Sequence, residues 1–144
     1  MQMKKIIYII ISCLLISCEL EVLDKGDIDG HWQLRQIDTL ATGGTCDMSY
    51  SNIYWAVESN ILQVRDIDNS NLKILFRYEK QGDELMIHTP FHVITKDELE
   101  PVEDAELLTP FGIIGTKDSF HIEKLSHSNL VMKNENYQLY FRRY

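Results

Sequence analysis

The sequence predicts an all-β fold, an eight-stranded antiparallel up-and-down barrel with a short helix in its long fifth connection, and three observations carry that expectation. Apolar side chains recur two residues apart in eight successive runs with polar ones between, the period of a strand with one buried face. Most runs are joined by hairpin-length segments rich in Asp, Asn, Ser and Gly. Sequential antiparallel strands in that number also close on themselves, which removes the edges an open sheet keeps; a two-sheet sandwich is the alternative topology.

Residues 1–17 form a separate segment ahead of the strands. They join a basic start (Lys4, Lys5) to an apolar run from Ile6 to Ile16 and to small Ser17, with no acidic residue, and read as a secretory signal peptide. As a helix the run would span about 16 Å, half of a hydrocarbon core of about 30 Å, so it is too short for an ordinary membrane span. Leu15-Ile16-Ser17-Cys18 resembles the bacterial lipobox, which implies cleavage before Cys18 and a diacylglycerol on its thiol.

Residues 18–29 then read as the lipidated Cys18 and an acidic tether, whose eleven residues from Glu19 to Asp29 reach about 36 to 40 Å when extended. The same division accounts for the cysteines. Cys13 leaves with the signal, Cys18 carries lipid and Cys46 remains as a loop thiol, so no intramolecular disulfide can form.

The net charge is -8; without Lys4 and Lys5 there are 12 basic against 22 acidic residues, or -10. That balance excludes a phosphate-binding surface of the nucleic-acid kind and would repel anionic head groups. The lipid, not the surface charge, is expected to hold the protein to the cell envelope, at the outer membrane and facing periplasm or exterior.

Residues 30–144 carry the strands. Inward faces are expected at Trp32 and Leu34; at Ile53, Trp55 and Val57; at Leu62 and Val64; and at Leu72, Ile74, Phe76 and Tyr78. They continue at Leu85 and Ile87, Phe120 and Ile122, Leu130 and Met132, and Tyr137, Leu139 and Phe141. Turns fall at Asp68-Asn69-Ser70-Asn71, Gln81-Gly82-Asp83, Ser126-His127-Ser128-Asn129 and Asn134-Glu135-Asn136. An even strand number brings the first strand's start and the last strand's end together, so Trp32 and Arg143 meet at one end.

Gly30-His31-Trp32 resembles the Gly-x-Trp motif of the first lipocalin strand, and Phe141-Arg142-Arg143-Tyr144 resembles the last strand, whose Arg covers that Trp at the barrel base. Arg143 has the inward parity of Leu139 and Phe141 and is preferred over Arg142. The tail from Leu108-Thr109-Pro110-Phe111-Gly112-Ile113 through Phe120-His121-Ile122-Glu123-Lys124-Leu125 to Tyr144 is similar to the lipocalin-like lipoproteins of Bacteroidota. That resemblance implies a fold and a location. The second lipocalin motif, Thr-Asp-Tyr, is absent, so it implies no particular ligand.

At the opposite end, the mouth, two connections are long. Thr39 to Ser49 holds Gly43, Gly44 and Cys46 and reads as a flexible stretch. Pro90 to Ser119 has an acidic half (Lys96 to Glu106) and an apolar half (Leu107 to Ile114). A short helix is expected at about Asp104 to Leu108, ended by Pro110, with Phe111, Ile113 and Ile114 folded over the mouth as a ligand wall or as a plug.

No metal or cofactor is expected. The acidic residues from Asp97 to Glu106 match no cation loop, Asp66 to Ser70 lacks its Gly, and Pro90 is expected to break the strand between His88 and His92. No base is placed beside Cys46 and no catalytic constellation appears, so no enzymatic activity is expected. The expected function is a lipid-anchored binding protein that holds a small apolar or amphipathic ligand among Trp55, Leu107, Phe111, Ile113, Ile114 and Phe120. The rival is a protein-interaction module, an inhibitor or accessory subunit of an envelope complex with a filled barrel; no nucleic-acid partner is expected.

Overall fold

Alternating apolar positions become ten strands and one 3-10 helix in the computed structural model, which describes residues 27–144. The expected signal peptide, the expected lipidation site Cys18 and the expected tether up to residue 26 lie outside the described residues. The strands are β1 (Gly30–Thr39), β2 (Thr45–Asp47), β3 (Ile53–Glu58), β4 (Ile61–Asp66), β5 (Leu72–Gln81), β6 (Glu84–Thr95), β7 (Glu98–Pro101), β8 (Asp118–Leu125), β9 (Asn129–Lys133) and β10 (Tyr137–Arg143).

Eight of them form the barrel, in the order β1-β3-β4-β5-β6-β8-β9-β10, and β10 pairs back with β1 to close it. Every pairing is antiparallel. The closing register sets Trp32 opposite Arg143 and Thr39 opposite Tyr137. The residues assigned inward in each run are buried, apart from half-buried Tyr78 and Tyr137. Because the sheet must bend to close, register shifts occur in β1 at Arg35, in β6 and in β8 at Glu123. After the first of these the inward parity passes from Leu34 to Ile37.

Four expectations need correction. Pro90 does not break its strand: Thr89 and Pro90 together face the single residue Phe76, so Pro90 occupies a bulge, where a missing N–H costs no ladder bond. Thr89 has the positive φ of 55° there. The strand therefore runs on to Thr95, and the acidic stretch turns back as β7 to pair with it rather than forming a plain loop. Cys46 lies on the short strand β2, paired with the end of β1, rather than in a flexible segment. The helix is a 3-10 helix, Ala105–Phe111; it holds Pro110 inside its last turn and ends at Gly112, whose φ of 79° favours glycine. Asp104 caps its start by accepting from the Glu106 N–H at 2.9 Å.

Residues 27–29, which the sequence assigns to the tether, are within the described residues. Ile28 is buried, and its carbonyl accepts the Trp32 indole N–H at 2.8 Å, so residues 27–29 pack on the barrel base.

Candidate functional site

The base is held by Arg143. Its guanidinium carbon stands 4.3 Å from the centroid of the Trp32 ring. Its nitrogens donate to the carbonyls of His127 at 2.6 Å, Asp29 at 2.8 Å and Asp27 at 2.8 Å. One cation thereby joins the β8–β9 turn, the entering chain and the first strand. Gly30, at φ 134°, lies so close that a Cβ would run into this guanidinium. Gly30, Trp32 and Arg143 thus come together as a structural clasp.

The barrel interior is filled with side chains. Trp32, Leu34, Leu62, Val64, Ile74, Leu85, Ile87, Phe120, Met132 and Leu139 are each 0% exposed, so no water-sized space borders any of them. Trp55 stands edge-on to Phe120 and Phe141, with ring centroids 5.5 and 5.1 Å away. The segment expected over the mouth supplies the closing layer: Leu108, Phe111 and Ile113 are buried completely. This filled interior is the plug arrangement, in which an eight-stranded barrel is packed by its own side chains.

Two polar residues pin the plug to the mouth-end turn between β9 and β10. Buried Asn134 donates to the Gly112 carbonyl and to the Asp118 carboxylate, both at 2.9 Å, and accepts from the N–H groups of Asn136 and Tyr137. Asp118 also accepts from Ile114 N–H at 3.1 Å and Ser119 N–H at 2.8 Å. Burial pushes its carboxyl above the usual value, while the three donors oppose that shift.

Beside the plug, on the outside of the barrel mouth, lies a groove of about 750 Å³. Its walls are the β4–β5 turn (Asn69, Ser70, Asn71), the start of β5 (Leu72, Lys73) and the outer end of β6 with the following residue (His92 to Lys96); Leu107 of the 3-10 helix closes one side. The size suits a small ligand.

Of the six residues expected to line a ligand, the structure brings only Leu107 to this groove. Trp55, Phe111, Ile113 and Phe120 are core, and half-buried Ile114 anchors the plug through its N–H. Lys73, His92 and Lys96 were missed as groove residues. They come from separate segments with no shared motif, and the outward parity of Lys73 between Leu72 and Ile74 was the one available signal. Among the described residues no group of three or more His, Cys, Asp or Glu side chains is disposed to hold a metal. Cys46 is exposed, with Met48 sulfur 3.6 Å from its own.

A closed eight-stranded barrel with a Trp-Arg base and a plugged interior defines a small lipocalin-type protein. The chain belongs to the Lipocalin-like domain family, whose pattern matches residues 13–144. It is similar in structure to a lipocalin-like protein from Bacteroides uniformis ATCC 8492, with a TM-score of 0.64 and 25% identity over 83% of this chain and 100% of that one. A second similar structure is an uncharacterized protein from Bacteroides eggerthii DSM 20697, with a TM-score of 0.62 and 19% identity over 82% of this chain and 100% of that one. No curated protein matches the sequence.

Proposed function

We propose that the protein is a lipid-anchored, non-enzymatic binding protein of the cell envelope that holds a small apolar or amphipathic ligand at the mouth end of its barrel. The observation that carries this reading is the groove of about 750 Å³ between the β4–β5 turn and the end of β6, next to an interior that side chains occupy. The ligand position moves outward accordingly, from the barrel core to the surface that Leu72, Val93 and Leu107 line. The anchor rests on Leu15-Ile16-Ser17-Cys18. Because Asp27 and Asp29 are bonded to Arg143 at the base, the chain arriving from Cys18 enters there, and the mouth points away from the membrane.

Three measurements test the reading. Cys18→Ala should move the protein from the membrane fraction to the soluble one with its fold unchanged; retention after a high-salt wash overturns the anchor. Mass spectrometry of molecules that co-purify with the mature protein, together with titration of an apolar fluorescent probe, should show saturable binding that Val93→Glu abolishes. Failure of both overturns the ligand reading. A protein-interaction role is the second reading, favoured by the filled interior and by Ile94 and Leu99, 42% and 50% exposed on the projecting β6–β7 hairpin.

A further inference from the structure

We infer that the mouth groove selects a single-chain amphiphile with an anionic headgroup, a carboxylate or a phosphate monoester; this rests on the groove being the ligand site. The chain is strongly acidic, with 22 Asp and Glu residues, yet none of them lines the groove. Lys73 and Lys96 do line it, one from the start of β5 and the other just past the end of the paired strand β6. Neither has a carboxylate within ion-pair distance among the described residues, where Lys133 instead pairs with Glu123 at 2.8 Å. Two ammonium groups without an ion-pair partner among the described residues therefore line one concavity, and a cationic headgroup would find no counter-charge there.

The remaining chemistry agrees. Asn71 Oδ1 accepts from the Arg65 Nε–H at 2.5 Å, which fixes the amide by its oxygen and leaves its pair of N–H donors to offer. Ser70 beside it adds a hydroxyl. Leu72 and Leu107, both packed with the core, give the groove an apolar side for a chain. The ammonium groups and donors would hold the headgroup oxygens while the chain lies along Leu107 against the plug.

The test uses mature protein and four probes of equal chain length, dodecanoate, dodecyl phosphate, dodecyl maltoside and dodecyltrimethylammonium, each below its micellar concentration, with inorganic phosphate as a fifth. Dodecanoate, dodecyl phosphate or both should bind at least about tenfold more tightly than the neutral and cationic amphiphiles, and added salt should weaken that binding. Which of the two binds separates a fatty-acid source from a phosphate-ester one. Lys73→Gln with Lys96→Gln should remove the preference while leaving dodecyl maltoside binding and the melting temperature unchanged, and Lys96→Glu alone should reverse part of it. Equal binding of neutral and anionic amphiphiles overturns the headgroup assignment and leaves the ligand reading standing. Inorganic phosphate binding as tightly as dodecyl phosphate overturns the amphiphile. No binding of any amphiphile overturns both the assignment and the ligand reading.

Discussion

Arg143 lies over the Trp32 ring at 4.3 Å, and the two residues are also register partners across the β1–β10 seam. The contact that covers the indole is thus made by the strands that close the barrel. Trp32 is 0% exposed, so Trp32→Ala should cost about 3 to 5 kcal/mol in denaturant unfolding. Arg143→Lys keeps the charge but loses the planar fork that reaches three carbonyls at once, and should cost about 1 to 2 kcal/mol. A Lys variant as stable as the parent would show that charge alone holds the base.

The mouth clasp should depend on Asp118 being a carboxylate. Its three bonded partners, Ile114 N–H, Ser119 N–H and Asn134 Nδ2, are all donors. An amide in either orientation turns an NH2 toward at least one of them. Asp118→Asn removes the cost of burying a charge yet leaves a donor facing a donor, and the second effect should win by about 1 to 2 kcal/mol. Hydrogen exchange should show Gly112 and Ile114 amides opening faster in the variant. Unchanged exchange there would mean that apolar packing alone holds the plug.

The strands that surround the core were legible because one face of each is buried. Ile53, Trp55 and Val57 alternate with half-buried or exposed neighbours, and the structure follows that pattern residue by residue. The end of β6 and all of β7 project past the barrel, where Ile94, Thr95 and every residue of β7 are exposed. A strand wet on both faces leaves no alternation to read. Pro90 then looked like a stop because the bulge that accommodates it is a property of the pairing with Phe76, not of its own segment. The groove was illegible for a similar reason. Lys73 and Lys96 are over twenty positions apart in sequence, and only the β5–β6 pairing brings their neighbourhoods together.

Stability should fall with rising pH through His121. Its ring nitrogen lies 2.6 Å from Glu84 across the β6–β8 pairing, and this hydrogen bond raises its pKa above the ordinary 6.5. A histidine raised in the folded state contributes stability that is fully present below the unfolded value and is lost as pH climbs through the folded one. The melting temperature of the parent should therefore exceed that of His121→Gln at about pH 5.5 and converge with it by about pH 9. A difference that grows with pH would contradict the Glu84 pairing.

A filled barrel makes an unusual demand of Phe111. The side chain is 0% exposed beneath the mouth, and Gly112 beside it packs so tightly that a Cβ there would strike Leu139. Phe111→Ala should cost about 3 to 5 kcal/mol, because the surrounding strands can collapse only in part. The space it leaves would be lined by apolar atoms and therefore dry, and dry cavities of this kind admit small apolar guests. The variant should therefore gain saturable binding of benzene or xenon that the parent lacks, visible as a guest-dependent rise in melting temperature. Parent protein that binds such guests as well as the variant does would show that the interior already holds usable space, returning the ligand site to the barrel core. A destabilised variant that binds none would mean that the mouth collapses onto the gap, with Leu108 and Ile113 taking over the plug.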